Sequence, residues 1–215
     1  MGDIEWTEQV SREYTRYMET VVRHDHRPCA QRILADWPDC PAGATVVDVA
    51  GGPGFMLLEL GPHVPRARMI LTDISEAMIE LGRERARARG HEIEGKVCPA
   101  ERLDLPDAAA DLLVCSHFLR LAPDLDGTLR EAARVLRPGG RAYFADFNQE
   151  GSWPLKRLLH LWIVLTAPAF FRRSFGETLR IALPASTLPA RLRAAGFRDA
   201  RVVHDGVSFL VRADR

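Results

Sequence analysis

From Thr45 onward the chain alternates short apolar strands with helical stretches, and its first strand runs directly into a cluster of glycines. Thr45–Val49 is apolar and β-branched; Gly51-Gly52-Pro53-Gly54 follows, and the spacing then predicts a helix from about Gly54 to His63. Arg68–Thr72 reads as a second strand and Ser75–Arg89 as a helix ended by Gly90. Ile93–Cys98 and Asp111–Cys115 read as a third and a fourth strand. Asp126 is expected to cap a helix reaching Leu136, with Pro138-Gly139-Gly140 stopping it before a fifth strand at Arg141–Phe147. Strands joined by helices at this spacing form right-handed βαβ units, and so a parallel sheet covered on both faces. The end of the chain departs from that rhythm. Ser186 is expected to cap a helix closed by Gly196, and then Ala200–His204 and Val207–Arg212 flank Asp205-Gly206, a hairpin signal. The expected fold is α/β: a doubly wound, mostly parallel seven-stranded sheet that ends in an antiparallel hairpin.

Before the sheet, Val10, Tyr14, Tyr17, Met18 and Val21 fall on one face of a helix over residues 4–23. Arg27-Pro28 opens a second helix through Trp37, and residues 39–43 are a turn-rich linker. The chain has 215 residues, the length of one domain with a small appendage. Lys+Arg 29 against Asp+Glu 29 leaves a formal net charge of +0, which argues against a dedicated nucleic-acid binder. No stretch approaches the roughly 18 apolar residues of a membrane span. The start, Met1-Gly2-Asp3-Ile4-Glu5, has neither a basic nor an apolar leader segment. Cys29, Cys40, Cys98 and Cys115 form no C-x-x-C pair and read as reduced thiols, which points to the cytoplasm.

A glycine turn after the first strand lets backbone approach a ligand closely, and the helix behind it offers free N–H groups. Open parallel sheets bind ligands at this end of their strands. A dinucleotide fingerprint needs a third small residue, but Gly52-Pro53-Gly54-Phe55-Met56-Leu57 places leucine there; a Gly-Lys-Ser/Thr phosphate loop is absent as well. Val47-Asp48-Val49-Ala50-Gly51-Gly52-Pro53-Gly54 instead resembles the first motif of the class I S-adenosylmethionine-dependent methyltransferases. Ala50 stands in for that motif's first glycine, a change that a negative φ would accommodate. Thr72-Asp73-Ile74-Ser75-Glu76-Ala77-Met78-Ile79 resembles the second motif, whose acidic residue holds the ribose hydroxyls; a carboxylate with two acceptor oxygens suits a vicinal diol. Ala100-Glu101-Arg102-Leu103 resembles the stretch beside the adenine, with Pro99 where the family often has an aspartate. Arg134-Val135-Leu136-Arg137-Pro138-Gly139-Gly140 is similar to the helix-to-strand signature of the same family. The resemblance covers about residues 44–148 and the terminal hairpin. It implies a Rossmann-like methyltransferase fold, S-adenosyl-L-methionine as cofactor, and a cofactor site of Asp48, Ala50, Gly51, Gly52, Gly54, Asp73, Ile74, Met78, Ala100, Glu101, Ser116 and Tyr17.

After the fourth strand the chain reads Cys115-Ser116-His117-Phe118, without the Pro-Pro-Tyr motif of amino-methylating enzymes. The resemblance therefore implies the small-molecule branch: a cytoplasmic enzyme methylating a small, largely apolar acceptor, O-methylation a little ahead of C- or N-methylation. It would work as a monomer or homodimer without nucleic acid and without stable membrane insertion. The alternatives are an RNA or protein methyltransferase, or a non-catalytic S-adenosylmethionine-binding partner protein. Residues 1–43 are expected to form an N-terminal helical lid on a methyltransferase domain of residues 44–215, with 151–183 as a helical cap over the substrate. Within that cap, Leu158–Leu165 and Phe170-Phe171 can wall an apolar pocket, cover the sheet edge or, beside Lys156, Arg157, Arg172 and Arg173, touch a membrane surface. His117 leads as general base, or else lines the cofactor. His24, His26 and Asp146 are further polar candidates, and Tyr14 and Tyr17 could reach in from the lid. His24, His26 and Cys29 make a loose H-x-H-x-x-C, but no second cluster completes four ligands and no metal is expected. The arginines at 83, 85, 87 and 89 read as a solvated helix face.

Overall fold

A computed structural model describes residues 7–22, 25–169, 172 and 180–215. Helices α1 (Glu8–Val22) and α2 (His26–Asp36) precede the sheet. Then come β1 (Thr45–Asp48), α3 (Phe55–Leu60), β2 (Arg68–Asp73), α4 (Glu76–Arg87), β3 (Glu94–Val97) and β4 (Ala110–Ser116). They are followed by α5 (Leu125–Val135), β5 (Leu136–Phe147), α6 (Trp153–Thr166), α7 (Leu188–Ala194), β6 (Asp199–Asp205) and β7 (Ser208–Asp214).

The seven strands form one sheet in the order β3-β2-β1-β4-β5-β7-β6. The first five are parallel, and β7 pairs antiparallel with both β5 and β6. This is the architecture expected from the sequence. Its core shows why the strands read as continuous apolar runs. Neighbouring residues of a strand point to opposite faces, and here both faces are covered. Val47, Ile70, Leu113, Cys115, Phe144 and Val211 pack on one side, in a core that includes α5 and α7 residues. Val46, Leu71, Leu112, Val114, Tyr143 and Leu210 pack on the other, in a core that includes residues of α2, α3 and α4. A third cluster sits apart, where Tyr17 and Met18 of α1 meet Phe55, Ile163 and Ala167.

Four boundaries differ from the sequence reading. Helix α2 opens at His26 behind Asp25, not at Arg27-Pro28. Asp124, not Asp126, caps α5, its carboxylate accepting from the Gly127 N–H at 2.8 Å. Pro138-Gly139-Gly140 does not stop that helix, because Leu136 already belongs to β5 and pairs with Ala110. The last helix is preceded by a 3-10 turn at Ala185–Thr187 rather than capped by Ser186, whose hydroxyl donates to Glu150 at 2.6 Å. Strand order reverses at β1, with β2 on one side and β4 on the other, so their carboxyl ends diverge there and open a crevice.

Candidate active site

The crevice begins with the loop after β1. The Val49 N–H donates to Val114 O at 2.8 Å and the Gly51 N–H to Thr72 O at 3.0 Å, so the chain is tied to β4 on one side and β2 on the other. Residue 50 must reverse direction between these two anchors. Ala50 has φ +52°, in the left-handed region, which corrects the expectation of a negative φ. Its Cβ there costs about 1–2 kcal/mol. Gly52 and Gly54 are also left-handed, at φ +54° and +74°. A Cβ on Gly52 would meet no atom of the described residues within 4 Å; one on Gly51 would lie 2.4 Å from Asp48 Cγ. The Asp48 carboxylate thus fills the space beneath the loop.

That places Asp48 away from the cavity. It is fully buried, and burial pushes its pKa up to about 8; the Asp73 charge adds to this and the Leu57 N–H opposes it. Gly54 lies outside the cavity too, as the N-terminal boundary of α3. Asp73 ends β2 with its carboxylate held in place: Oδ2 accepts from the Gly52 N–H and Oδ1 from the Ser75 N–H, each at 2.9 Å. Burial raises its pKa. Ser75 in turn caps α4, accepting from the Met78 N–H at 3.4 Å.

A cavity of about 880 Å³ opens above these groups. Of the residues singled out in the sequence, Tyr17, His26, Ala50, Gly51, Gly52, Asp73, Ile74, Met78, Ala100, Glu101, Ser116 and His117 line it. Glu101 carries a buried Oε1 with no hydrogen-bonding partner among the described residues. Leu155, Leu158, Leu159, Trp162 and Ile163 of α6 wall the opposite side, while Phe170, Phe171, Arg173 and His24 lie outside the described residues. Tyr14 and Tyr17 both reach the cavity from α1, and the Tyr17 hydroxyl is 3.4 Å from Thr166 Oγ1.

Between the loop and α6 lies a polar group that the sequence reading assembled only in part. His117 follows β4 in a left-handed conformation, φ +58°, its N–H donating to Ala145 O at 2.8 Å. That turn swings the imidazole back toward α2, where Nε2 pairs with the Asp25 carboxylate. The His117 and His26 ring centroids are 5.3 Å apart, and the Phe147 ring, tilted by 52°, lies 5.1 Å from that of His117. Burial alone would lower the His117 pKa, but the Asp25 carboxylate overrides it, and the net shift is upward. Asp25 is held below the usual carboxylate range, its burial outweighed by the His117 charge and hydrogen bond. His26 Nδ1 lies 3.6 Å from the same carboxylate, but there burial outweighs the Asp25 charge and takes the pKa down to about 4.

Asp146 is fully buried and does not face the large cavity. It accepts from the Arg120 and Phe147 N–H groups at 3.0 and 2.7 Å and pairs with the Arg120 guanidinium, so it holds the segment after β4. Arg85 corrects the view of α4 as wholly solvated. Its guanidinium lies 4.1 Å from the Phe55 ring centroid and donates to Pro53 O at 2.5 Å, covering the glycine loop from outside. Asp25 and Arg120 were not selected from the sequence. The signal available for Asp25 was its place between two histidines, and for Arg120 its place three residues after His117. Asp25, His26 and His117 bring one carboxylate oxygen and two ring nitrogens within 4.8 Å of one another. The metal motif weighed from the sequence, His24, His26 and Cys29, shares only His26 with this group.

Comparison with known proteins agrees with this arrangement. The profile of a methyltransferase domain family matches residues 46–140, the segment from β1 into β5. The chain is 31% identical over 179 residues to the ubiquinone/menaquinone biosynthesis C-methyltransferase UbiE of Escherichia coli, covering 78% of this chain and 71% of that protein. A crystal structure of an S-adenosylmethionine-dependent methyltransferase from Aquifex aeolicus superimposes with a TM-score of 0.66 at 22% identity, over 86% of this chain and 88% of the other. A Methanococcus maripaludis protein assigned to the same enzymes superimposes with a TM-score of 0.79 at 16% identity, over 99% and 95% of the two chains. Likeness at these identities speaks for the fold, and the curated relative speaks for the family. With the glycine loop, the acidic end of β2 and the crevice between them in place, the chain belongs to the class I S-adenosylmethionine-dependent methyltransferases, enzymes that use S-adenosylmethionine as cofactor.

Proposed function

We propose that this enzyme methylates a small, apolar, electron-rich phenolic ring, with the Asp25–His117 pair as the group that removes the acceptor's proton. The observation that carries this is the ion pair of His117 Nε2 with Asp25 in the wall of a cavity otherwise lined largely by apolar side chains. The cofactor side fits the loop. Asp73 keeps acceptor capacity beyond its two N–H bonds and suits a ribose diol. The unobstructed face of Gly52 leaves room for a ligand against the backbone, and the unpaired Oε1 of Glu101 is an acceptor available to an adenine amino group. Ligand pockets run to about 300–1,000 Å³. The present cavity, at about 880 Å³, is at the upper end and has room for an acceptor beside the cofactor.

When bound, S-adenosylmethionine supplies an electrophilic methyl carbon on a sulfonium, open to in-line displacement. The chain's own part is alignment and deprotonation. Aligning two reactants can supply roughly 7–11 kcal/mol. The Asp25–His117 pair takes the phenolic proton as the ring becomes nucleophilic, and Asp25 stabilises the imidazolium that results. The new bond forms to the methyl carbon while the sulfur–methyl bond breaks. If a ring carbon attacked, that carbon then loses its own proton to water, which restores the aromatic ring, and the phenolic oxygen takes back the proton held on His117. The sequence placed oxygen a little ahead of carbon as the methylated atom. The likeness to a C-methyltransferase over 78% of the chain moves the proposal to carbon. Residues 1–43 and 151–183 are read as the lid and cap that close this cavity, since Tyr17 and α6 both line it.

The test is single-turnover kinetics of wild type and His117→Ala on phenols and hydroquinones of graded acidity, with mass spectrometry of the products. The rate constant for chemistry should fall by roughly 10²–10⁴ on the least acidic acceptor, with the loss shrinking as acceptors become more acidic and cofactor affinity nearly unchanged. A variant within about threefold of wild type on the least acidic acceptor is far outside that range and removes His117 as the base. The grouping of Asp25, His26 and His117 favours one second reading, a divalent ion that orients the acceptor. Full activity after chelator treatment supports the base; loss restored by added zinc or manganese supports the ion.

A further inference from the structure

Helix α6 is apolar almost all round, yet of its fourteen residues only Ile163 is buried. Leu155, Leu158, Trp162 and Leu165 recur at i, i+3, i+7 and i+10 and form one stripe along it. Leu158 is 63% exposed and Leu165 73%; Leu161, Val164 and Trp153 extend the exposed surface around the helix. A monomer in water rarely presents so many large apolar side chains contiguously.

The charges that flank this helix in the sequence are of one sign. Between Glu150 and Glu177 the sequence contains no carboxylate, but it has Lys156, Arg157, Arg172 and Arg173. Lys156 sits on the first turns of α6, donating to the carbonyls of Asn148 and Gln149, and Arg157 lies 4.8 Å from the Trp153 ring centroid. A short helix with leucines and tryptophans at its surface, flanked only by cations, has the composition of an element lying in the plane of a lipid interface. Fourteen residues at 1.5 Å each give about 21 Å, and no described helix is long and apolar enough to cross a membrane. The apolar surface is also continuous with the cavity, because Leu155, Leu158 and Trp162 belong to both.

We propose that α6 is a docking surface for an anionic lipid bilayer, lying in the interface with Leu161 and Leu165 in the acyl region and the basic residues at the headgroups. The charge complementarity selects this occupant: a second copy of a chain with no net charge would bring an equally cationic helix against this one, whereas phosphate headgroups supply the missing anions. The inference does not depend on the acceptor or on methyl transfer, and its test uses neither.

The full chain is sedimented with vesicles of phosphatidylcholine alone and of phosphatidylcholine mixed with phosphatidylglycerol, at low and high salt. Binding to the anionic vesicles should be at least about tenfold tighter, and salt should weaken it. Joint replacement Leu161→Glu and Leu165→Glu, at two positions outside the cavity, should weaken it by about tenfold or more while circular dichroism and Tm stay unchanged. Brominated lipid should quench tryptophan fluorescence in the wild type and not in Trp153→Phe/Trp162→Phe. Equal binding to neutral and anionic vesicles overturns the proposal, as does full binding by the glutamate variant. A dimer in lipid-free sedimentation velocity that dissociates on Leu161→Glu/Leu165→Glu also overturns it and assigns the face to a second copy.

Discussion

Asp25 occupies the position of a helix cap at the start of α2, yet its side chain makes no capping bond. A cap is worth about 1 kcal/mol, and here the carboxylate turns instead to His117. The consequence is testable through pH. In the wild type the His117 pKa is raised, so the neutral base accumulates only above its ordinary value, and kcat/KM should climb with an apparent pKa above about 6.5. In Asp25→Asn the carboxylate that raises it most is gone, Asp146 at 3.9 Å still raises it, and burial, which lowers it, remains. The ascending limb should therefore move to lower pH. The plateau should also fall by roughly 10- to 150-fold, the value of a hydrogen bond to a charged group. A pH–rate profile superimposable on the wild type's would detach Asp25 from the chemistry. Asp25 was hard to select beforehand because a His-Asp-His triplet between two helices reads as an ordinary helix break. Its role depends on His117, ninety-two positions away in the chain.

Among the elements, the β1–α3 loop was the most legible. Its glycines announce a sharp turn, and the turn lies where two diverging strands leave a crevice. Its strain was less legible, since the left-handed φ of Ala50 comes from hydrogen bonds to β2 and β4 that no local rule contains. Gly52 carries the sharpest prediction. A Cβ at Gly52 would meet no atom of the described residues within 4 Å, but a branched residue at φ +54° costs about 1–2 kcal/mol. Thermal unfolding should thus fall by only several degrees, at about 2–4 °C per kcal/mol. Calorimetry should find S-adenosylmethionine binding nearly abolished, because the new Cβ occupies ligand space. Normal affinity would mean that the cofactor does not approach this backbone. Helix α4 shows how a surface reading fails locally. Arg85 stands three residues after Gly82, whose missing side chain lets the helix close on Leu71 and Pro53, and this brings Arg85 onto the loop. Its neighbour Glu84 is paired with Arg12 of α1 at 3.1 Å, so α4 also anchors that helix.

At the scale of the whole molecule, the site sits over a carboxylic acid sealed in the core. Asp48 has its pKa raised to about 8, against roughly 3.9 when unfolded. The folded protein therefore keeps a proton that the unfolded chain releases, and this contribution to stability declines as pH rises between about 4 and 8. The raised His117 pKa acts in the same direction near neutrality. Asp48→Asn removes the first effect while preserving shape. Its Tm should fall less steeply than the wild type's from pH 5 to 8, as differential scanning calorimetry would measure. Parallel curves would show that Asp48 is already ionised in the fold.

The alternation of strands and helices, the covered sheet, the glycine loop and the terminal hairpin all follow from local pattern, because periodicity, turn residues and motif spacing act over a few positions and survive in one dimension; the order of the strands in the sheet does not. The half of the cavity proposed to hold the cofactor lies almost wholly in such segments, from Ala50 to Glu101. The acceptor half does not. It is made where Asp25 and Tyr17 of the N-terminal helices, His117 after β4, Phe147 after β5 and Trp162 of α6 converge on one cavity. Only folding decides which of several histidines meets which carboxylate, because that pairing is set by the crossing of elements far apart in the chain. The same holds for burial. Sequence alone marks α6 as apolar, but its exposure depends on what the rest of the chain leaves uncovered, and Asp48 is acidic in any reading yet becomes a buried acid only once Gly51 and Leu71 close over it.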